Sequence, residues 1–175
     1  LDNSASGVIQ TNATDLTLTP AELDNAGGII THGGIGTLTI APDNGANALN
    51  NASGTIVTKG QAVVNAGSWN NAGGILAAQR GIDATISGDV NNAQDLLRSD
   101  TSLSLTNGGA LSNQGGQISS THDLSIAAAT LQGGGTFTNN ASLQSVNTLS
   151  VNAGNIVNAG ALTAGGLLHT QSTNL

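Results

Sequence analysis

At 175 residues the chain is long enough for one domain with a substantial core, but 1% aromatic residues, 7% charged residues and 25 glycines exclude an ordinary globular interior. Its net charge of −7 and the scatter of its only bases, Lys59, Arg80 and Arg98, argue against nucleic acid, heparin-like polymers and anionic membrane as partners. No cysteine is present for disulfides or thiolate metal sites, and no apolar run approaches the roughly 18 residues of a membrane span.

An apolar-x-Asn element opens the chain as LDN at residue 1. It returns as LDN at 23, LNN at 49, WNN at 69, VNN at 90, LSN at 111, FTN at 137 and IVN at 156, with Leu175 standing where a ninth would start. The intervals are 19 to 26 residues, and the third position is always Asn: Asn3, Asn25, Asn51, Asn71, Asn92, Asn113, Asn139 and Asn158. After each Asn comes a small turn such as AGG, ASG or QGG, and then a single apolar residue: Ile30, Ile56, Leu76, Leu97, Ile118, Leu143 and Leu162. Past a polar stretch follows an alternating apolar pair: Leu16/Leu18, Leu38/Ile40, Ala62/Val64, Ile82/Ala84, Leu103/Leu105, Leu124/Ile126 and Leu149/Val151.

Alternation at period two, bounded by Gly, Asn, Asp and Ser, predicts strands, and no segment sustains a helical period. Three short strands in some 20 residues cannot bury an apolar face alone, so the repeats must stack. The expected fold is all-β: a parallel β-helix, or solenoid, of about eight coils with three short strands per coil, roughly 38 Å long at about 4.8 Å per coil. The Asn column predicts an amide ladder along one corner, and Asn also tolerates the left-handed backbone of a tight corner. Trp69 and Phe137, the only aromatics, both fall on the apolar position that opens a repeat. A core role stacks them with Leu49, Val90 and Ile156, whereas a glycan-binding aromatic would sit on a surface loop.

No catalytic, cofactor-binding or metal-ligating residue is expected. Polysaccharide chemistry needs carboxylates that converge in a groove or around Ca²⁺. Here the acids are dispersed: Asp2, Asp15, Glu22, Asp24, Asp43, Asp83, Asp89, Asp95, Asp100 and Asp123. Asp2 and Asp24 share a repeat position that later holds Asn50, Asn70 and Asn91, which reads as one end of a polar column. His32 and His122 fall at similar points of coils about 19 Å apart, too far to share a metal, and His169 lies in the last strand. GGIGTL (33–38) lacks the Asp of a calcium nonapeptide, and GGGT (133–136) has neither the Lys nor the helix of a phosphate loop. TLT at 17–19 and 37–39 would start the Thr-x-Thr array of an ice-binding face, but the array decays after two coils. The two 26-residue intervals predict surface loops near 41–48 and 129–136, the places where a rigid scaffold would carry recognition.

The stretch LDNAGGIITHGGIGTLTI (23–40), with its relatives along the whole chain, resembles the filamentous haemagglutinin repeat. The resemblance implies a right-handed parallel β-helix and secretion to the Gram-negative cell surface, with an outer-membrane two-partner transporter as partner during export. It also implies one of two roles. The first is a non-catalytic shaft of an adhesin, with a glycan or protein receptor on a host or bacterial surface. The alternative is the stalk of a contact-dependent growth-inhibition exoprotein that presents receptor-binding and toxin domains. No nucleic acid partner and no membrane insertion are expected. The chain carries no signal-peptide pattern, no secretion domain and no toxin-like segment. Both ends are in phase with the repeat, so residues 1–175 are expected to be a single β-helix segment of a longer array.

Overall fold

The computed structural model describes residues 1–128, 136–139, 142–153 and 155–172. Within them the chain winds into stacked coils, and three parallel sheets run along the stack. A corner sheet of seven strands starts at Leu23–Asp24 and continues through Leu49–Asn50, Trp69–Asn70, Val90–Asn91 and Leu111–Asn113 to Asn155–Asn158. A middle sheet of eight strands runs from Val8–Thr11 to Ala161–Ala164, and a closing sheet of eight runs from Leu16–Leu18 to Leu168–Ser172. The opening coil joins the corner sheet only through a parallel bridge between Asp2 and Asp24.

Register follows the repeat without a slip. In the middle sheet Ile30, Ile56, Leu76, Leu97, Ile118 and Leu143 are aligned one above the other, and each is 0% exposed. Ile9 and Leu162 continue this column as partly buried residues at its two ends. A one-residue slip in any coil would turn that strand's apolar side chains outward, so the alternating pattern fixes each coil on the one below. The closing sheet stacks the predicted pairs in the same way, from Leu16/Leu18 through Leu38/Ile40 to Leu149/Val151.

Trp69 lies in the corner-sheet column between Leu49 and Val90 and is 1% exposed. Its Nε1 has no hydrogen-bond partner, so the indole is held by volume rather than by a polar bond. In the closing sheet Ala62 and Ala84 replace the larger residues of most other coils, in coil 3 and in the coil of Trp69 itself. That is the volume balance a close-packed interior requires. The backbone of Phe137 stacks between Leu111 and Ile156; the predicted core position of its side chain lies outside the described residues.

The corner itself departs from expectation in one respect. The left-handed residue is not the ladder Asn but the residue two positions later: Gly27 (φ 65°), Ser53 (φ 54°), Gly73 (φ 67°), Gln94 (φ 57°) and Gly115 (φ 71°). Turning and laddering are therefore separate tasks, with Gly favoured at the first because it lacks the Cβ that left-handed φ penalises.

Candidate functional site

Two amide ladders flank the corner. Inside, Asn3, Asn25, Asn51, Asn71, Asn92 and Asn113 are buried, and the Nδ2 of each of the first five donates to the Oδ1 of the Asn one coil up, at 2.6, 2.7, 2.7, 3.2 and 2.7 Å in chain order. The Nδ2 atoms of Asn25, Asn51 and Asn113 also donate to backbone carbonyls, those of Gly28, Gly54 and Ile75, and Gly116. Outside, the preceding residues form a second ladder of opposite polarity. Asn50 donates down to Asp24 at 3.0 Å, and Asn70 and Asn91 take the next two steps at 3.3 Å each. Their Oδ1 atoms, like those of Asp2 and Asp24, accept the backbone N–H two residues on. Backbone groups dictate both polarities: carbonyls inside demand the NH₂, and N–H groups outside demand the oxygen.

Most carboxylates cap backbone rather than meet one another. Asp15 accepts from the Thr37 N–H at 2.7 Å, Asp89 from Ala110 at 2.7 Å, and Asp123 from Thr148 at 3.1 Å, each in the following coil. The Ser4 hydroxyl and N–H beside Asp2 hold its carboxyl below the ordinary range. Asp83 lies on the outer face of the closing sheet, between Val63 and Ser104 in the stack, and lines a shallow recess with Arg80 and Asp123. Among the described residues no group of three His, Cys, Asp or Glu could hold a metal ion.

The bases are less scattered than the sequence implies. Lys59, Arg80 and Arg98 fall on three successive coils, at or near the corner between the middle and closing sheets, where Arg98 pairs with Asp100 at 2.9 Å. His32 points inward: Nε2 donates to the Ala13 carbonyl at 3.0 Å, so Nδ1 accepts from the Thr58 hydroxyl at 2.8 Å. His122 is not its counterpart; Ser120 is, and His122 lies exposed two positions further on. His169 stacks on Ser150 and is exposed. The two TLT segments are also out of phase, because Thr17 pairs with Thr39, which leaves Thr37 over Asp15. In GGIGTL, a Cβ on Gly34 would collide with the Ala13 carbonyl of the preceding coil, so that glycine is needed for stacking.

Two outward features could meet a partner. The first is the segment 41–48, where Pro42–Gly45 forms a short 3-10 stretch with Asp43 and Asn44 in left-handed backbone at φ 45° and 54°. It is stitched down on both sides: Asp43 N–H to Pro20 O at 2.8 Å, Asn47 Nδ2 to Ala21 O at 2.8 Å, and Gly67 N–H to Asn47 O at 2.8 Å. Asp43 and Asn44 thus stand exposed on a fixed support. The segment 129–135, most of the other predicted loop, lies outside the described residues. The second feature is the outer face of the middle sheet, where Val8, Ile29, Thr55, Ile75 and Leu96 stack in one stripe beside a recess of about 210 Å³ floored by Val57 and Ala77 and closed by Arg98 and Asp100. That volume is below the several hundred Å³ of a typical small-molecule site.

One residue stands out that the sequence reading passed over among the dispersed acids. Asp95 occupies the slot held by Gly28, Gly54, Gly74 and Gly116 in other coils, where a Cβ would collide with the carbonyl oxygen of the preceding coil's ladder Asn. It is 8% exposed; Oδ1 accepts its neighbour Leu96 N–H at 2.6 Å, and Oδ2 has no partner. Burial pushes its carboxyl up from 3.8 to about 7, against smaller opposing effects of the Leu96 and Gly74 amides and the Asn71 side chain. The signal was present in the sequence, since NAQD stands where other repeats read NAGG or NASG.

A family model described as haemagglutinin repeat matches residues 1–41, 36–115 and 116–175. The tRNA nuclease CdiA-2 of Burkholderia pseudomallei (strain 1026b) is 63% identical over 73 residues, which is 42% of this chain and 2% of that protein. The match thus spans a small fraction of the curated relative's length. No solved structure matches.

Proposed function

The chain belongs to the haemagglutinin repeat family, and we propose on that footing that it is a rigid, non-catalytic shaft segment of a two-partner secretion exoprotein, whose role is reach. Such exoproteins are secreted and displayed at the Gram-negative cell surface, and an outer-membrane transporter of the same secretion system is the partner in export. The observation that carries the reading is the unbroken register of three parallel sheets: among the described residues, successive coils from Leu23 on are bonded through three strands, and ladder Asn residues join the coils from Asn3 to Asn113. A stack of this kind resists bending and lengthens by simple repetition. The carboxylates that cap backbone N–H groups and the one buried His are accounted for by coil stacking. The similarity to CdiA-2 favours a stalk that holds an effector away from the cell.

The adhesin reading rests on a different observation, the exposed Asp43 and Asn44 on their stitched support. One experiment separates the two: binding of labelled 1–175 to epithelial cells and to neighbouring bacteria, beside Asp43→Gly/Asn44→Gly, which keeps the left-handed backbone and removes both side chains. A shaft gives no saturable binding to either cell type. Saturable binding that the double variant loses would sink the spacer reading and make this segment the adhesive element. Saturable binding that survives the substitutions would sink it too and move the receptor site to the stripe on the middle sheet.

A further inference from the structure

We infer that Asp95 makes the step between coils 4 and 5 a proton-sensitive joint, loose while its carboxylate is ionised and drawn to the spacing of neighbouring steps when it is neutral. The geometry of the step carries this. At the position after the Gly slot, the backbone bond to the coil below is 2.8 Å for Ile29, Thr55 and Ile75, but 3.3 Å for Leu96 on Gly74, because the Asp95 Oδ1 draws the same N–H to itself at 2.6 Å. The same step holds the longest rung of the inner ladder, Asn71 to Asn92 at 3.2 Å, where the other rungs are 2.6 to 2.7 Å. Above Asp95 the stack recovers, with Gln117 N–H on Asp95 O at 2.7 Å. Both distortions therefore belong to the single step into which the extra side chain intrudes.

The chemistry of the slot explains the sensitivity. The atom that crowds it most closely in neighbouring coils is an oxygen, the carbonyl of the preceding ladder Asn, with ladder amide nitrogens standing further off. An ionised carboxylate offers only acceptors to that carbonyl and is repelled by it, a repulsion that the Gly74 and Leu96 amides and the Asn71 side chain offset in part; a neutral carboxyl offers one O–H donor from an oxygen that otherwise has no partner. The proton therefore converts repulsion into a hydrogen bond across the loose step. No charge competes for that role. The residues that face Asp95 are Gly73, Gly74 and Ile75 from the coil below, Gly115, Gly116 and Gln117 from the coil above, and its own neighbours Gln94 and Leu96. The ladder amides Asn71 and Asn92 complete the surround, and the nearest base along its strand, Arg98, is exposed and engaged by Asp100. The upward shift of the Asp95 carboxyl to about 7 sets the range in which the joint responds.

The test is backbone amide exchange on 1–175 between pH 8 and pH 5.5, corrected for intrinsic rates, read at Leu96 and at its equivalents Thr55 and Ile75. Protection of Leu96 is expected to rise by about tenfold on acidification while Thr55 and Ile75 hold steady. Asp95→Asn keeps the size and abolishes titration, and Asp95→Gly restores the residue of the other coils; both are expected to remove the pH dependence, and Asp95→Gly to raise protection at pH 8. The joint is disproved if Leu96 tracks Ile75 at every pH, or if either variant still responds to acid.

Discussion

Asn50 and Asn51 are neighbours with the same side chain, yet they belong to two regions that obey different rules. Asn51 is fully buried, and its amide works at both ends: it accepts from Asn25 at 2.7 Å and donates to Asn71 at 2.7 Å. Asn50 lies on the outer ladder, part-buried, with longer bonds to Asp24 and Asn70 at 3.0 and 3.3 Å. The inner column is Asn at every coil from Asn3 to Asn158, whereas the outer one varies as Asp2, Asp24, Asn50, Asn70, Asn91 and Ser112. An inner residue must donate and accept without help from water. An outer residue need only accept one backbone N–H, which Asp does as well as Asn, and water supplies the rest.

The sharpest way to break this contrast is Asn51→Asp. The substitution keeps the shape, removes the donor and sets oxygen against the Asn71 Oδ1 and the Ile75 carbonyl in a sealed site. A loss of about 3–5 kcal/mol is expected at neutral pH, read from urea unfolding with the single buried Trp69, one coil away, as fluorescence reporter. If the loss is under about 1 kcal/mol, the inner ladder is not what holds the corner.

The second prediction concerns the one coil where a carboxyl already presses on the inner ladder. Burial raises the Asp95 carboxyl from 3.8 in the unfolded chain to about 7, so the folded protein holds this proton more tightly. The resulting stabilisation is complete below about pH 4 and is lost as pH rises through about 7. After allowance for residual solvent contact it amounts to about 2 kcal/mol. Urea midpoints from pH 5 to pH 8, read at Trp69, should fall with rising pH in the parent chain and stay flat across that range in Asp95→Asn. The smallest effect expected is that of Asn50→Asp, about 0.5–1 kcal/mol, because it replaces the Asn50 donor to Asp24 by a second carboxylate, but in a column where water screens the pair. A loss as large as that of Asn51→Asp would erase the distinction between the two ladders.

How far these rules can be read in advance differs from residue to residue. The apolar columns were legible because side-chain alternation leaves one register that buries them all, and Ile30 through Leu143 align as the repeat implies. The inner ladder was legible because Asn returns at one phase. The polarity of the ladders was not, since it depends on which backbone groups face each amide. Nor was the meaning of His32 and His122, whose two-residue offset decides between interior and solvent. Similar local motifs misled in the TLT segments, where the true pairing is Thr17 with Thr39.

The sequence by itself determined that the chain stacks, how many residues each coil takes, and which side chains enter the column. These follow from periodicity, because short strands without a core of their own can bury apolar surface only on copies of themselves. The tertiary structure alone decided what each polar atom meets. It turned dispersed acids into caps on the next coil, brought three distant bases to neighbouring corners, and put the carboxyl of Asp95 where Gly28, Gly54, Gly74 and Gly116 have nothing but a hydrogen. Those outcomes depend on distances between residues some 20 positions apart, which stacking sets and local sequence does not encode.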